Sequence, residues 1–139
     1  MSAAVELAQR IEIIEAGYEY LLAYAAQGRQ DDTGSEVRAR LTAIGDALDE
    51  LGTLVARRVG ESSAAAATQA AAFLAAVDTD ARTAQGAISL VLSRPAISSL
   101  LVDNLNASIH VRALLTDLFL VDQALKPEKQ QPATGAGGQ

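Results

Sequence analysis

Residues 95–125, PAISSLLVDNLNASIHVRALLTDLFLVDQAL, carry more apolar side chains than one helix of a small monomeric bundle buries. At the helical step of about 100° per residue, Leu100, Asn104, Ala107, Val111, Leu114, Leu118, Val121 and Leu125 recur at alternating spacings of four and three. This is a heptad-like seam, and Asn104 is its one polar member. A second apolar arc, Ile97, Leu101, Leu105, Ile109, Leu115, Phe119 and Leu120, lies beside it and leaves only a narrow polar strip of Ser99, Asp103, Asn106, His110 and Asp117. Exposed apolar surface costs roughly 25 cal/mol per Å² relative to burial, so a second chain is the expected cover. Leu101, Leu105, Ile109, Leu115 and Phe119 are the interface candidates, and a homo-oligomer, first of all a dimer, is the expected assembly.

The stretch is long enough to cross a bilayer, which takes about 20 mostly apolar residues. Asp103, Asn104, Asn106, His110, Arg112, Asp117 and Asp122 recur throughout it, so no membrane span is expected. The N-terminus, MSAAVELAQRIEIIEAGYEY, lacks the basic leader and long apolar run of a signal peptide.

A length of 139 residues predicts one domain able to bury a core without staples. The net charge of −6 disfavours phosphate backbones and anionic lipid, so no nucleic-acid partner is expected. There is no cysteine, hence no disulfide or thiolate metal site, which suits a reducing, cytoplasmic compartment. Both lysines, Lys126 and Lys129, fall in the C-terminal tail, and every other cation is arginine. With the many alanines and glycines, that bias reads as a GC-rich bacterial genome. Three Tyr, two Phe and no Trp leave little with which to stack bases or sugars.

The rest of the chain reads as three further helices. The first, about 3–27, has the seam Leu7, Ile11, Ile14, Tyr18, Leu21 and Ala25 with Glu12, Glu15 and Glu19 opposite, and Gly28 to stop it. Gly17 within it points to a close approach by a neighbouring helix or a ligand. The second, about 34–59, repeats the spacing at Val37, Leu41, Ile44, Leu48, Leu51 and Val55, with Thr33 and Glu36 spaced as a capping box and Gly60 as the closing cap. The third, about 62–92, starts at an N-cap Ser62 or Ser63 and is alanine-rich; Asp78–Asp80 interrupts its pattern, and the sequence leaves open whether it breaks there. Pro95 falls in the first turn of the fourth, about 95–125. Four helices with short connections predict an all-α, antiparallel, up-down-up-down four-helix bundle over residues 1–125. Residues 126–139, KPEKQQPATGAGGQ, read as a flexible tail from Lys126 onward.

Chemistry is thinly represented. A single histidine excludes the paired Glu-x-x-His arrangement of dimetal bundles, and Ala107 stands three before it. The rows Glu12, Glu15, Glu19 and Asp46, Asp49, Glu50 read as solvated acidic faces, and neither metal nor other cofactor is expected. His110 as a phosphoryl acceptor is disfavoured by Asp103 and Asp117 seven residues to either side, and by the lack of the lysine and glycine that follow such a histidine in phosphotransfer domains. No triad or phosphate loop can be assembled. The expected function is therefore non-catalytic: a self-associating adaptor, scaffold or regulatory subunit with a possible protein partner. An alternative is a small-molecule sensor or carrier whose apolar pocket, between the first and fourth helices, includes Gly17, Tyr18, Tyr20, Tyr24 and Asn104. A coat on lipid or polymer granules is a third.

Overall fold

The computed structural model describes residues 2–126, which are all-helical and contain no strand. Seven helices follow one another: α1 (Ala3–Ala25), α2 (Val37–Leu48), α3 (Leu51–Ser62), α4 (Ala64–Gln69), α5 (Ala71–Leu92), α6 (Ser99–Ser108) and α7 (Val111–Leu125). The expected single helices over 34–59, 62–92 and 95–125 are thus each divided in two. The expected tail beyond Lys126 lies outside the described residues.

The division at Ile109–His110 is the most consequential. Leu105 and Leu114 are nine residues apart, so in one straight helix they would face about 180° away from each other. His110 adopts a left-handed conformation (φ 29°), and the chain restarts as α7 in a new phase. Both apolar stripes then turn inward: Val102, Leu105 and Ile109 before the break, Val111, Leu114, Leu115, Leu118 and Val121 after it. Leu100, on the expected seam, is 69% exposed instead. Ser99, expected on the polar strip, is buried. Its hydroxyl donates to the Tyr24 carbonyl at 2.7 Å and accepts the Arg29 N–H at 2.8 Å, satisfying backbone groups freed where α1 ends.

The break at Asp49–Glu50 is likewise made by a non-glycine left-handed residue, Glu50 (φ 54°). Arg10 of α1 donates to the exposed carbonyls of Ala47 (3.0 Å) and Asp49 (2.6 Å), placing positive charge at the negative end of α2. Glu6 holds Arg10 at 3.2 Å and Arg57 of α3 at 3.0 Å. The third division falls at Ala70, not at Asp78–Asp80, through which α5 runs unbroken. Asp78 pairs with Arg82 and sits against Gly52. Ser63 is the N-cap of α4, its hydroxyl accepting the Ala66 N–H at 3.1 Å. Gly28 (φ 67°) follows the end of α1, as expected, whereas three other boundary signals do not act. Thr33 makes no capping box, because its N–H turns back to Asp31 Oδ1 and Glu36 caps without its side chain. Gly60 lies inside α3, and Pro95 precedes α6, whose N-cap is Ser98.

Side-chain contacts run antiparallel along α1 and the α2–α3 pair: Gly17 meets Ile44, Arg10 reaches Asp49, and Glu6 reaches Arg57. Against α5 the order is again reversed, with Arg38 reaching the Leu92 carbonyl, Gln85 the Gly45 carbonyl, and Asp78 packed on Gly52. The joins at one end are polar. Asp32 accepts the Ile97 N–H (2.9 Å) and Arg38 Nε (2.7 Å), while Arg38 also donates to the Arg94 carbonyl at 2.7 Å. These bonds hold the Asp32 carboxyl below its ordinary range, the Arg38 contact first among them.

A Cβ on Gly52 would stand 2.7 Å from Asp78 Cα, backbone that cannot yield, whereas Gly86 has open space around it. Gly52→Ala should therefore lose about 1–3 kcal/mol of stability by overpacking, while Gly86→Ala should gain about 0.5–1 kcal/mol through helix propensity. Urea unfolding of both variants, followed by far-UV circular dichroism, checks the opposite signs.

Candidate functional site

Between α1 and α7 the surface is cut by three adjoining hollows. The first, about 530 Å³, lies at the start of α7 and is lined by Tyr18, Asn106, Ala107, His110, Val111, Arg112, Ala113, Thr116 and Asp117. A second of about 390 Å³ shares Tyr18, Arg112 and Thr116 with it and adds Glu15, Glu19, Leu22, Leu115 and Phe119. A third of about 210 Å³ continues past Glu15 and Phe119 to Ala8, Ile11, Glu12 and Asp122. Shared residues make them one groove. From Ala8 to Leu22 it follows α1 for about 21 Å at 1.5 Å per residue.

The helical period explains the lining. On α1 the core stripe includes Leu7, Ile11, Ile14 and Leu21; the groove borders Ile11 and takes Tyr18 and Leu22 at its floor, with Glu12, Glu15 and Glu19 along its wall. On α7, Leu115 closes the core while Phe119, one turn on, is 43% exposed. Leu22 is exposed across from it. Charge in the groove is lopsided. Arg112 is its one arginine, against Glu12, Glu15, Glu19, Asp117 and Asp122. Among the described residues none of these carboxylates forms an ion pair, whereas Glu6, Asp32, Glu36, Glu61 and Asp78 all do.

The interface candidates from the sequence divide. Leu105, Ile109 and Leu115 lie in the chain's own core, Leu101 is half-buried, and Phe119 is exposed in the groove. The pocket candidates divide as well. Tyr18 lines the groove. Gly17 is covered, since a Cβ there would meet Ile44 Cδ1 at 2.6 Å, so helix packing fills the space in which a ligand would sit. Tyr24 is fully buried and donates to the Ile97 carbonyl at 2.6 Å. Tyr20 stacks on it with centroids 6.2 Å apart and accepts the Glu36 N–H at 3.0 Å. Arg29 and Arg40 lie over the two rings, 5.5 and 5.0 Å from their centroids. Asn104 is exposed.

Asn106 is the inward-facing amide that the seam assigned to Asn104. Its Nδ2 donates to the Leu21 carbonyl at 3.2 Å, and its Oδ1 is buried with no hydrogen-bond partner. The spacing Val102, Leu105, Asn106, Ile109 carried that signal, and the α6 phase decides it. Leu22, Arg112 and the carboxylate wall were not singled out by sequence reasoning as parts of one site. Glu12, Glu15 and Glu19 sit one turn apart beside Tyr18 and Leu22, and that adjacency was the available signal. Among the described residues no group of three or more His, Asp or Glu side chains is placed to hold a metal ion, and no helix is long and apolar enough to cross a membrane. No family model, curated protein or solved structure matches the chain.

Asp117 titrates abnormally. Partial burial raises its carboxyl above the ordinary value, and the nearby Asp80 of α5 raises it further. A carboxyl raised in the folded state weakens the fold once it ionises. Asp117→Asn should therefore raise the melting temperature at neutral pH, and the gain should shrink as pH falls through the raised value toward the ordinary carboxylate range. Thermal melts of both proteins from pH 3 to 8 check this sign.

Proposed function

We propose that this chain is a non-catalytic interaction protein, an adaptor or regulatory subunit, that receives a helical segment of another protein in the groove between α1 and α7. The carrying observation is the continuity of that groove, in which half-buried Tyr18 and exposed Leu22 and Phe119, beside the core residue Ile11, have no covering element among the described residues. Amphipathic helices lay such a face into such grooves, with anchors at spacings of three and four. The scaffold behind it is read as an up-down-up-down four-helix bundle in which α2–α3, α4–α5 and α6–α7 are broken rods; the reversed contact order along α1, α2–α3 and α5 supports this topology. Self-association through the fourth rod keeps little support, because Leu105, Ile109 and Leu115 are consumed by the chain's own core.

A second reading, a small-molecule carrier, is favoured by one observation. The unpartnered Asn106 Oδ1 lies beside the hollow at the start of α7, where a ligand's hydrogen-bond donor would satisfy it. Native mass spectrometry of the purified chain tests it: a retained small molecule supports the carrier reading, and bare mass removes it.

For the helix reading, the probe is a hydrocarbon-stapled helix of about 16 residues with leucines on one face and glutamines on both edges, titrated into isotope-labelled full-length chain. Resonances of Tyr18, Leu22, Leu115 and Phe119 should shift together, and Phe119→Ser, an exposed change that leaves the core intact, should weaken binding at least about tenfold, the loss of one anchor. Shifts scattered over other faces, or none, would overturn the reading.

A further inference from the structure

We infer that the groove selects a helix with a basic edge, the lysines or arginines of that edge facing the carboxylate wall of α1. The inference rests on the helix-docking reading above and adds the chemistry of the partner. Glu12, Glu15 and Glu19 stand at spacings of three and four along one side of the groove. That is also the spacing at which an antiparallel or parallel helix lying alongside presents successive side chains of one edge. All three are exposed, and none has a cation partner among the described residues. Asp122 extends the negative wall at the far end. Arg112 is the one cation facing them: it lines the middle hollow with Glu15 and Glu19 without an ion pair to either, and the three carboxylates outnumber it.

Charge also decides between candidate occupants. A second copy of this chain has the same net charge of −6 and would bring carboxylate wall against carboxylate wall, so it is disfavoured. An anionic lipid surface is repelled in the same way. A foreign basic amphipathic helix satisfies both the floor and the wall.

The test compares the glutamine-edged stapled helix with the same helix carrying lysines along one edge, each titrated into the full chain at low and high salt. The lysine helix should bind about tenfold tighter at low salt, as three exposed ion pairs of ordinary strength give, and the advantage should fade as salt screens it. In the triple variant Glu12→Gln, Glu15→Gln, Glu19→Gln, the ratio of the two affinities should fall to about one and lose its salt dependence. The changes are on exposed sites, and an unchanged circular dichroism melt verifies the fold. Equal binding of the two helices to the unaltered chain, with the groove resonances still shifting, overturns the charge selection and leaves the docking reading standing. Failure of both helices overturns the docking reading itself. A dimer of the bare chain by light scattering that dissociates on Phe119→Ser would put a second copy in the groove and overturn the inference.

Discussion

The structure depends on a reversal of helical phase at His110. Leu105 and Leu114 cannot reach one core from one straight helix, and the left-handed residue between α6 and α7 lets both do so. The left-handed conformation costs a non-glycine residue roughly 1 kcal/mol. Burying a leucine side chain returns about 1.5–3 kcal/mol, and the break brings several apolar side chains inward at once. The sign is not in doubt. The same reversal settles what remains outside. With Leu105, Ile109 and Leu115 in the core, the apolar surplus of residues 95–125 shrinks to Leu100, Phe119 and Leu120, of which Phe119 faces the groove.

Opposite that break, the polar joins make the end of the molecule near Tyr24 the most heavily cross-tied. Tyr24, Ser99, Asp32 and Arg38 bond backbone groups of the connections before α2 and before α6, so several carbonyl and N–H groups freed there find partners within the fold. Tyr20 and Tyr24, with Arg40 and Arg29 over their rings, belong to this closure. They are thereby committed to structure. Tyr18, two residues before Tyr20, points a different way on the same helix and is the tyrosine left to the groove.

What the sequence made legible follows the same logic. Apolar periodicity located the segments of α1, α2–α3 and α6–α7, while alanine propensity and the serine cap located that of α4–α5. None of these signals located the breaks. Neither Glu50 nor His110 is glycine, and nothing local to Ala70 ends a helix; the surrounding core over-determines these positions. Asp78 left a break open for a related reason. Its side chain suits a helix boundary, yet it is held within α5 by Arg82 and by contact with Gly52, which has no side chain to push it away. In the groove, Tyr18 was legible as a seam residue and pocket candidate, and Phe119 as part of the apolar arc beside a seam. The role of Glu12, Glu15 and Glu19 was not, since a solvated acidic face and the wall of a groove have the same one-dimensional pattern.

Those three carboxylates stand beside exposed Leu22 and Phe119 with no ion pair among the described residues. Like charges three and four apart on a helix repel, costing about 0.2–0.5 kcal/mol per pair. Arginines pair with carboxylates at other places: Arg10 and Arg57 at Glu6, Arg38 at Asp32, Arg40 at Glu36, Arg82 at Asp78. Most of these also tie helix ends or connections together. Along the α1 wall no ion pair forms among the described residues, although Arg112 lines the same hollow as Glu15 and Glu19. A repulsive row kept next to exposed Leu22 and Phe119 adds nothing to the stability of this chain on its own. Its energetic sense lies in an occupant that brings the missing positive charge and the missing apolar cover at the same time.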